Sequence, residues 1–534
     1  MYITVRVLFI CEFNLHYIMY VLGLIDVPWW GMILSSLLSI IVALYCYTVY
    51  HHGYFKRRGF KGPQPQLYWG HVKHTTAEGF HKFDRRCTEE FGPIWGFFFG
   101  NHASLMVVDP EILKEITVKQ FSKFYDRGVV VQIPTIWTNS VNNARGTKWK
   151  YLRAVLQPTF SSSKIKKMRP ILKRCLDEFI SCIDEDLQKS DDLVLDMYAR
   201  FKPLTMDVIC STAFGIEVNS QRNTDDLFVK HASSILGTSI TSIVLMLNIF
   251  FPDLRKLIMY FIKDWIDRES MDFLMATIRK AMAERKNDVT GEFTDLLKLM
   301  MDTQTESSNN GVSEEKSFEE MKKCGMSDED IVINGIIFLA AGYETTASLL
   351  AFMTYCLTTN PECQERVFKE IDEIIGSTDN AFSYDNVQKL DYLEMFLQET
   401  LRMYPPAGRF NREPACDVTI NGVKFEKGMD ITFSTHAMHR NPKYWPEPDK
   451  FDPERFSPEN KDKIVPCTYI PFGIGPRNCV GMKLALAEAK ITIVRLLQEY
   501  KLEGSAKLQT PIELNTSGAI SRPKDGVFVK LVRR

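Results

Sequence analysis

Residues 471–481 read PFGIGPRNCVG and place one cysteine, Cys479, at the exit of a glycine-rich turn. Gly473 and Gly475 allow a tight turn whose backbone amides face inward, and the residues from Val480 onward predict the start of a long helix. Backbone N–H groups and a helix N-terminus both favour a thiolate over a thiol. The stretch therefore predicts that Cys479 is held as a thiolate.

An isolated cysteine is ordinarily a small buried hydrophobic side chain, and a cysteine at a helix N-terminus can also be a catalytic nucleophile. Cys479 has no CxxC neighbour, no histidine lies near it in the sequence to act as a base, and the ten histidines are dispersed. A redox centre or a metal-containing cofactor is therefore the favoured use of this thiolate.

The spacing of Phe472, Gly475, Arg477, Cys479 and Gly481 resembles the haem-binding signature of the cytochrome P450 superfamily. The resemblance implies the cytochrome P450 fold, mainly α with small β-sheets, and a b-type haem whose iron takes the cysteine thiolate as axial ligand. It covers roughly residues 60–534 and is closest to the animal microsomal branch that includes drug- and steroid-oxidising enzymes and thromboxane synthase.

An acidic and a basic residue three positions apart, Glu399 and Arg402, are similar to the family's ExxR pair. Positions i and i+3 share one face of a helix, so the carboxylate and the guanidinium can interlock. Arg455 would complete the family's triad. The resemblance implies a structural role for these three residues.

The sequence AGYETT at 341–346 is similar to the motif in the family's long distal helix. Ser327, followed three residues later by an aspartate, predicts the capped start of this helix. Gly342 would let the helix open locally, and Thr345 with Glu344 would supply an alcohol and an acid beside bound dioxygen. These three residues are the predicted catalytic residues.

Trp149 and Arg153 resemble the family's WxxxR motif, in which both side chains reach a haem propionate. Arg412 and Arg477 match family positions that also hydrogen-bond propionates. Arg127 is a further candidate for the same role. The resemblance therefore implies one tryptophan and four arginines around the cofactor.

The composition excludes some partners and suggests a cellular compartment. Lys and Arg total 65 and Asp and Glu total 66, so there is no basic excess for nucleic acid and no such partner is expected. The 12 cysteines are scattered without the short spacings of a disulfide scaffold or a zinc ribbon. This pattern is typical of a reducing compartment.

Residues 28–50, PWWGMILSSLLSIIVALYCYTVY, carry no charge, and about 20 apolar residues suffice for a helix to cross a bilayer. A basic cluster follows directly and, by the positive-inside rule, places the rest of the chain in the cytosol: Lys56, Arg57, Arg58 and Lys61. A cleaved signal peptide is disfavoured because the run is too long and lacks an A-x-A exit. We predict a retained anchor in the endoplasmic reticulum membrane, with the catalytic domain facing the cytosol.

These features divide the chain into an N-terminal membrane anchor (1–52), a basic, proline-rich linker (53–66) and a haem-thiolate catalytic domain (67–534). Residues 1–26 are apolar but carry three charges, which makes them a poor second span. Residues 235–252 carry no charge and predict a buried or membrane-dipping helix pair.

Local patterns predict several elements of the catalytic domain. Residues 94–109 predict a hairpin around Gly100, and residues 418–424 predict a second short turn between strands. Apolar spacing predicts helices over 164–187, 271–286, 328–359, 361–375, 391–404 and 480–500.

The expected function is that of a membrane-anchored haem-thiolate monooxygenase. It would take O2 and NADPH-derived electrons from a separate NADPH–cytochrome reductase, with cytochrome b5 as a second candidate donor, because the chain shows no dinucleotide or flavin fingerprint of its own. A haem-thiolate isomerase or synthase and a non-catalytic haem-based sensor are the alternatives. The substrate is expected to be lipophilic, of xenobiotic, steroid or fatty-acid type.

The resemblance also implies which parts of the chain line the substrate pocket. They are residues 129–137, 338–341, 405–410 and 516–520, largely apolar apart from Arg409.

Overall fold

The computed structural model describes residues 28–130, 135–223, 226–236, 243–262, 267–286, 295–304, 317–376, 378–516 and 520–534. Helices dominate, as the sequence predicts, and the strands form small separate sheets. The helices are α1 (Trp29–His52), α2 (Val72–Phe91), α3 (Pro110–Lys114), α4 (Thr135–Thr138), α5 (Gly146–Leu156), α6 (Ser162–Lys167), α7 (Arg169–Lys189), α8 (Met197–Phe214), α9 (Leu227–Leu236), α10 (Ile243–Phe250), α11 (Arg255–Phe261), α12 (Arg268–Lys286), α13 (Leu296–Met301), α14 (Phe318–Cys324), α15 (Asp328–Thr359), α16 (Pro361–Ile374), α17 (Thr378–Ala381), α18 (Tyr384–Val387), α19 (Asp391–Met403), α20 (Thr435–His439) and α21 (Met482–Glu499).

The strands are β1 (Ile94–Phe99), β2 (His102–Val107), β3 (Val194–Asp196), β4 (Arg409–Arg412), β5 (Val418–Ile420), β6 (Val423–Phe425), β7 (Asp430–Ser434), β8 (Tyr500–Gly504), β9 (Leu514–Asn515), β10 (Arg522–Pro523) and β11 (Phe528–Arg533). The largest sheet has the order β1-β2-β7-β4, in which β2 and β7 are parallel and the other pairs antiparallel. A second sheet has the order β3-β11-β8, and β5–β6 and β9–β10 form two-stranded ribbons.

Both predicted hairpins are present. In the first, Ile94 pairs with Val107 and the turn is closed at Gly100, whose φ of +63° suits glycine. In the second, Asn421 and Gly422 both take positive φ, as a tight two-residue turn requires.

The prediction of one helix over 164–187 is wrong in one respect, because two helices, α6 and α7, meet at Met168. Pro170 stands in the first turn of α7, where its missing N–H is tolerated, and it cannot continue a helix from the preceding side. The remaining predicted helices are confirmed as α12, α15, α16, α19 and α21, with ends that shift by a few residues.

Helix α15 is the central element of the catalytic domain. The Ser327 hydroxyl accepts from the Asp330 N–H while the Asp330 side chain accepts from the Ser327 backbone, which confirms the predicted capped start. The helix packs against α8, α12 and α21. It is long and apolar enough to span a membrane, but 72% of its most apolar window is buried, so it serves as a core helix.

The helical stretch Trp29–Arg58 is also long and apolar enough to cross a membrane, with a mean hydropathy of 2.1 and only 6% of its window buried. Its C-terminal end contacts the rest of the chain: Thr48 is buried, and His51 lies 3.0 Å from the carboxylate of Asp253. Residues 1–26 lie outside the described residues. Helix α1 is therefore an exposed apolar helix that is attached to the rest of the chain at its C-terminal end.

The segment predicted as a linker, residues 53–66, packs on the catalytic domain instead. Phe55 is 4% exposed and contacts Phe98 of β1, with ring centroids 5.2 Å apart. The Gly96 N–H donates to the carbonyl oxygen of Lys61 at 2.8 Å. Because aromatic burial and strand contacts begin before residue 67, the domain boundary lies nearer the end of α1.

Of the apolar run 235–252, residues 237–242 lie outside the described residues. The remainder includes α10, whose faces differ sharply: Ile249 is fully buried, whereas Ile243 is 76% exposed. Three apolar side chains on α11 are also exposed, those of Leu257, Tyr260 and Phe261.

Candidate functional site

The loop before α21 holds Cys479 in a fixed position. Gly473 and Gly475 take φ of +67° and +76°, and the Cys479 N–H donates to the Phe472 carbonyl oxygen at 2.8 Å. A Cβ at position 475 would overlap the carbonyl oxygen of Thr117, so this glycine is needed for close packing as well as for its φ. Gly475 itself does not line the cavity described below.

The Cys479 side chain opens onto a cavity at the N-terminus of α21. The backbone N–H groups of Gly481 and Met482 hydrogen-bond to its sulfur, and Arg127 and Arg153 add positive charge. Burial nevertheless outweighs these groups and raises the pKa of the Cys479 thiol. A bound metal ion would lower this pKa and so favour the thiolate that the sequence predicts.

Four arginines, Arg127, Arg153, Arg412 and Arg477, line the same cavity. Each has a buried Nε without a hydrogen-bond partner in the described part of the chain. Burial lowers the pKa of all four guanidinium groups. For Arg477 the pKa falls to about 9, through burial and then repulsion from Arg127.

The arginines differ in their other contacts. The Arg477 guanidinium lies 4.5 Å from the ring centroid of the buried Trp149 and 3.9 Å from an oxygen of Asp126. Arg153 donates to the backbone and side-chain oxygens of Asn478, both at 2.8 Å, and so braces the cysteine loop. Burying this much positive charge is costly unless anions compensate it. The donor set therefore fits a dianionic group with an apolar body, as a haem with two propionates is.

The cavity has a volume of about 380 Å³. Of the predicted lining, Phe338, Ala341, Pro406, Arg409 and Phe410 contribute to its wall. Residues 131–134 and 517–519 of the predicted lining lie outside the described residues.

Helix α15 presents Gly342 and Thr345 to the cavity, but not Glu344. The Thr345 hydroxyl donates to the Ala341 carbonyl oxygen at 2.5 Å. Glu344 is 5% exposed and accepts from the Tyr198 hydroxyl. Its carboxylate also lies near two cations outside the cavity lining, at 3.6 Å from Arg522 and 4.0 Å from Lys202.

Two predictions about α15 therefore need correction. Glu344 does not stand beside Thr345 in the cavity, because successive residues on a helix point in different directions and its charge is compensated elsewhere. Gly342 does not open the helix, which runs unbroken through Asp328–Thr359. A Cβ at position 342 would instead overlap the side chain of Ile209, so the glycine permits α8 to pack closely.

The chain matches the family model of cytochrome P450 over residues 60–531. It is 35% identical to cytochrome P450 3A29 of Sus scrofa over 507 residues, which cover 95% of this chain and 96% of that protein. It is 35% identical to cytochrome P450 3A6 of Oryctolagus cuniculus over 506 residues (95% and 97%) and 34% identical to cytochrome P450 3A40 of Oryzias latipes over 500 residues (94% and 97%). The chain is a cytochrome P450. It belongs to the animal branch that the sequence indicates, and its cofactor is a thiolate-ligated haem.

This P450 is a haem monooxygenase by family.

The three residues of the predicted structural triad are in contact with one another. Glu399 and Arg402 are both 0% exposed and form two hydrogen bonds of 2.7 Å, and Arg455 lies 3.5 Å from Glu399. Arg402 also donates to the carbonyl oxygens of His439, Pro448 and Lys450. The pair therefore ties α19 to the end of α20 and to the segment that follows it.

Sequence reasoning missed the partner of Arg409 in the P450 cavity. The Arg409 guanidinium forms a two-pronged ion pair with Asp84 of α2, which is 1% exposed, and lies 4.0 Å from the ring centroid of Phe80. The two charged residues are 325 positions apart in sequence, so no local pattern marks the pair. The one cation on the substrate side of the predicted lining is thus compensated.

Sequence reasoning also missed Glu488, which lines the cavity from α21 and is 5% exposed. A local signal was available, since an acidic residue stands among Leu484, Ala487 and Ile491 on the buried side of that helix.

Proposed function

We propose that this P450 is a membrane-anchored monooxygenase that takes O2 and NADPH-derived electrons from a separate reductase and oxygenates a lipophilic substrate. The observation that carries the proposal is a single cavity that joins the Cys479 sulfur, four converging arginines and the Thr345 side chain. Bound there, the haem would activate dioxygen and insert one oxygen atom into a substrate while the other leaves as water.

The residues of the chain would hold the haem from two sides. Cys479 would give its sulfur to the iron, with the Gly481 and Met482 N–H groups stabilising the negative charge. Arg412 and Arg477, with their unpartnered Nε atoms, would bind the propionates. Trp149 would keep the Arg477 guanidinium in place by stacking against it.

A lipophilic substrate is supported by the wall of the cavity. Phe160, Ile209, Phe338 and Phe410 contribute apolar surface, and the charge of Arg409 is compensated by Asp84. Such a wall excludes water and favours neutral or weakly polar molecules.

Membrane anchoring is supported by Trp29–Arg58, which is apolar, long and exposed. The basic residues after α1 favour an endoplasmic reticulum orientation with the catalytic domain in the cytosol. In that orientation the catalytic domain would be accessible to NADPH–cytochrome reductase, and cytochrome b5 would be a second electron donor.

The test uses the full-length protein in reconstituted membranes. Its ferrous carbon-monoxide spectrum should show the red-shifted Soret band of thiolate ligation, which Cys479→His should abolish and Cys416→Ser, at an exposed cysteine, should keep. A screen of lipids and xenobiotics should then give oxygenated product only with NADPH, reductase and O2. Product without NADPH would instead establish an isomerase, and haem binding without any product would favour a sensor.

A further inference from the structure

The wall of the P450 cavity includes a short stretch of backbone between α19 and β4. Pro406 and Ala407 of this stretch line the cavity, as does Thr435 at the start of α20. The stretch belongs to none of the helices and strands named above, so it has no hydrogen-bonded ladder of its own to hold it. Its position in the cavity therefore depends on contacts from other segments.

A segment near the C-terminus holds this wall from behind. The Ser521 N–H donates to the Pro406 carbonyl oxygen at 2.7 Å, and Ala407 pairs with Ile520 in an isolated antiparallel bridge. The Ser521 hydroxyl is in turn hydrogen-bonded to Nε2 of His436 at 3.0 Å. Ser521 and His436 are each 3% exposed, so water does not compete for this bond.

His436 also contacts the wall directly. A Cβ at position 408 would lie 2.8 Å from the His436 ring, so the imidazole packs against the α-carbon of Gly408. The N–H of the preceding residue, Thr435, donates to the Gly408 carbonyl oxygen at 2.9 Å. Helix α20 thus fixes Gly408 at two points, and His436 connects this contact to Ser521.

A second histidine, His81 of α2, lies against the first. The centroids of the His81 and His436 rings are 5.7 Å apart, and His81 Nδ1 is hydrogen-bonded to the Thr516 hydroxyl at 3.0 Å. Burial lowers the pKa of both imidazoles, that of His81 to about 4, so both rings are neutral at neutral pH and do not repel each other. Because α2 also carries Asp84, the partner of Arg409, this helix supports the cavity wall at two places.

We propose that His436, supported by His81, is a positioning residue that fixes the wall formed by Pro406 and Ala407 and thereby determines how a substrate lies in the cavity. The inference rests on the proposed function, because it concerns the substrate of that reaction. Neither histidine is among the described residues that line the cavity, so the effect passes through Ser521 and Gly408. A wall that is already fixed lets a bulky molecule pack against it without the entropy cost of ordering it.

The test uses the full-length, haem-loaded protein and two ligands that bind iron through a ring nitrogen. Imidazole is small, whereas 1-phenylimidazole is large enough to contact the cavity wall. His436→Phe keeps an aromatic ring but loses the hydrogen bond to Ser521. We expect 1-phenylimidazole to bind about 5-fold more weakly relative to imidazole than in the wild type, the effect of one buried hydrogen bond. Soret difference titrations measure both dissociation constants, and an unchanged or raised relative affinity would overturn the proposal.

Ser521→Ala removes the same hydrogen bond from its other end and leaves the His436 ring in place. It should weaken the relative binding of 1-phenylimidazole as much as His436→Phe does. The double variant should show no larger effect than either single variant, because both remove one interaction. Effects that add in the double variant would mean that the two residues act on the wall separately, and would overturn the proposal.

A purely structural role is distinguished by His71→Phe. His71 is a buried histidine outside the described cavity lining, and its ring nitrogens are hydrogen-bonded to the Pro63 carbonyl oxygen at 3.2 Å and to the Phe98 N–H at 2.9 Å. This variant should lower the thermal midpoint but keep the wild-type ratio of the two dissociation constants. A ratio that changes as much as in His436→Phe would assign the effect to lost stability and overturn the positioning role.

The two proposals fail in different ways. The titrations need neither NADPH nor reductase nor turnover, so an unchanged ratio in His436→Phe and Ser521→Ala would refute the positioning role alone. Wild-type protein that binds haem but consumes no NADPH with reductase would refute the proposed function, and the measured ratios would still decide whether His436 fixes the wall.

Discussion

Thr345 and Glu344 are neighbours in sequence, yet only Thr345 lines the haem cavity. The Thr345 hydroxyl donates to the backbone of its own helix, whereas Glu344 accepts from Tyr198 on α8. An alcohol and an acid that read as one catalytic pair therefore occupy separate environments. Any cooperation between them requires intervening water or a change in side-chain conformation.

Replacing Thr345 tests whether its hydroxyl has a role beyond the bond to Ala341. We expect Thr345→Ala to keep haem and the reduced carbon-monoxide band, yet to lower product formed per NADPH on the order of 10-fold, with the electrons appearing as hydrogen peroxide. Thr345→Ser retains a hydroxyl and should form as much product per NADPH as the wild type does. Unchanged coupling in the alanine variant would leave the hydroxyl with only its helix bond.

The Arg409–Asp84 pair should set the charge preference of the substrate cavity. Asp84→Asn would leave the Arg409 guanidinium without its carboxylate partner. We expect the variant to bind laurate about 10-fold more tightly relative to lauryl alcohol than the wild type does, since each tenfold corresponds to about 1.4 kcal/mol. Soret difference titrations with this matched pair measure the effect.

The control for that titration is Asp449→Asn, which removes an exposed partner of Arg85. It should leave the laurate preference unchanged. If the preference for laurate over lauryl alcohol changed equally in both variants, the net charge of the protein, rather than Arg409, would be responsible.

The Glu399–Arg402 pair should be essential for stability. Glu399→Gln leaves the Arg402 guanidinium buried with an incomplete set of partners, which we expect to cost about 3–5 kcal/mol. Asp177→Asn breaks an exposed helix pair with Lys173 and should cost less than about 1 kcal/mol. Denaturant unfolding of the haem-loaded protein gives the free energy of unfolding of both variants. Similar losses in the two variants would contradict a structural role for the triad.

His439 should make the protein sensitive to mild acid. Its Nδ1 donates to the Arg402 carbonyl oxygen at 3.1 Å and its Nε2 accepts from the Ile470 N–H at 2.8 Å, so the ring is neutral. Burial, with repulsion from Arg402, lowers the pKa of His439 from 6.5 to about 3. Between these values the unfolded chain binds the extra proton, so stability is present above pH 6.5 and falls as the pH decreases.

Because of this one histidine, the free energy of unfolding should fall by close to about 1.4 kcal/mol for each pH unit below the ordinary histidine pKa. His439→Gln should be less stable at neutral pH but should show a shallower decline toward acid. Unfolding midpoints measured across that pH range give the slope, and parallel declines in variant and wild type would exclude His439 as a source.

The membrane anchor is tested by truncation. Deleting residues 1–52 should release much of the protein from microsomes, whereas deleting residues 2–26 should leave it bound. Release should be incomplete because exposed side chains such as Ile243 and Phe261 provide further apolar surface. External protease should digest the catalytic domain in sealed microsomes, and protection would show that the predicted orientation is wrong.

The sequence alone predicted those structural features that are produced by residues close together in the chain. The capped start of α15, both hairpins and the positive φ of Gly475 follow from residues a few positions apart. The Glu399–Arg402 contact also follows, because one helical turn brings the two side chains to the same face. The position of Cys479 at a helix N-terminus was determined in the same way.

Tertiary structure decided what each functional side chain faces, because burial and charge compensation depend on segments distant in sequence. Glu344 is turned to Tyr198 of α8, and Arg409 is neutralised by Asp84 of α2, neither of which a local pattern indicates.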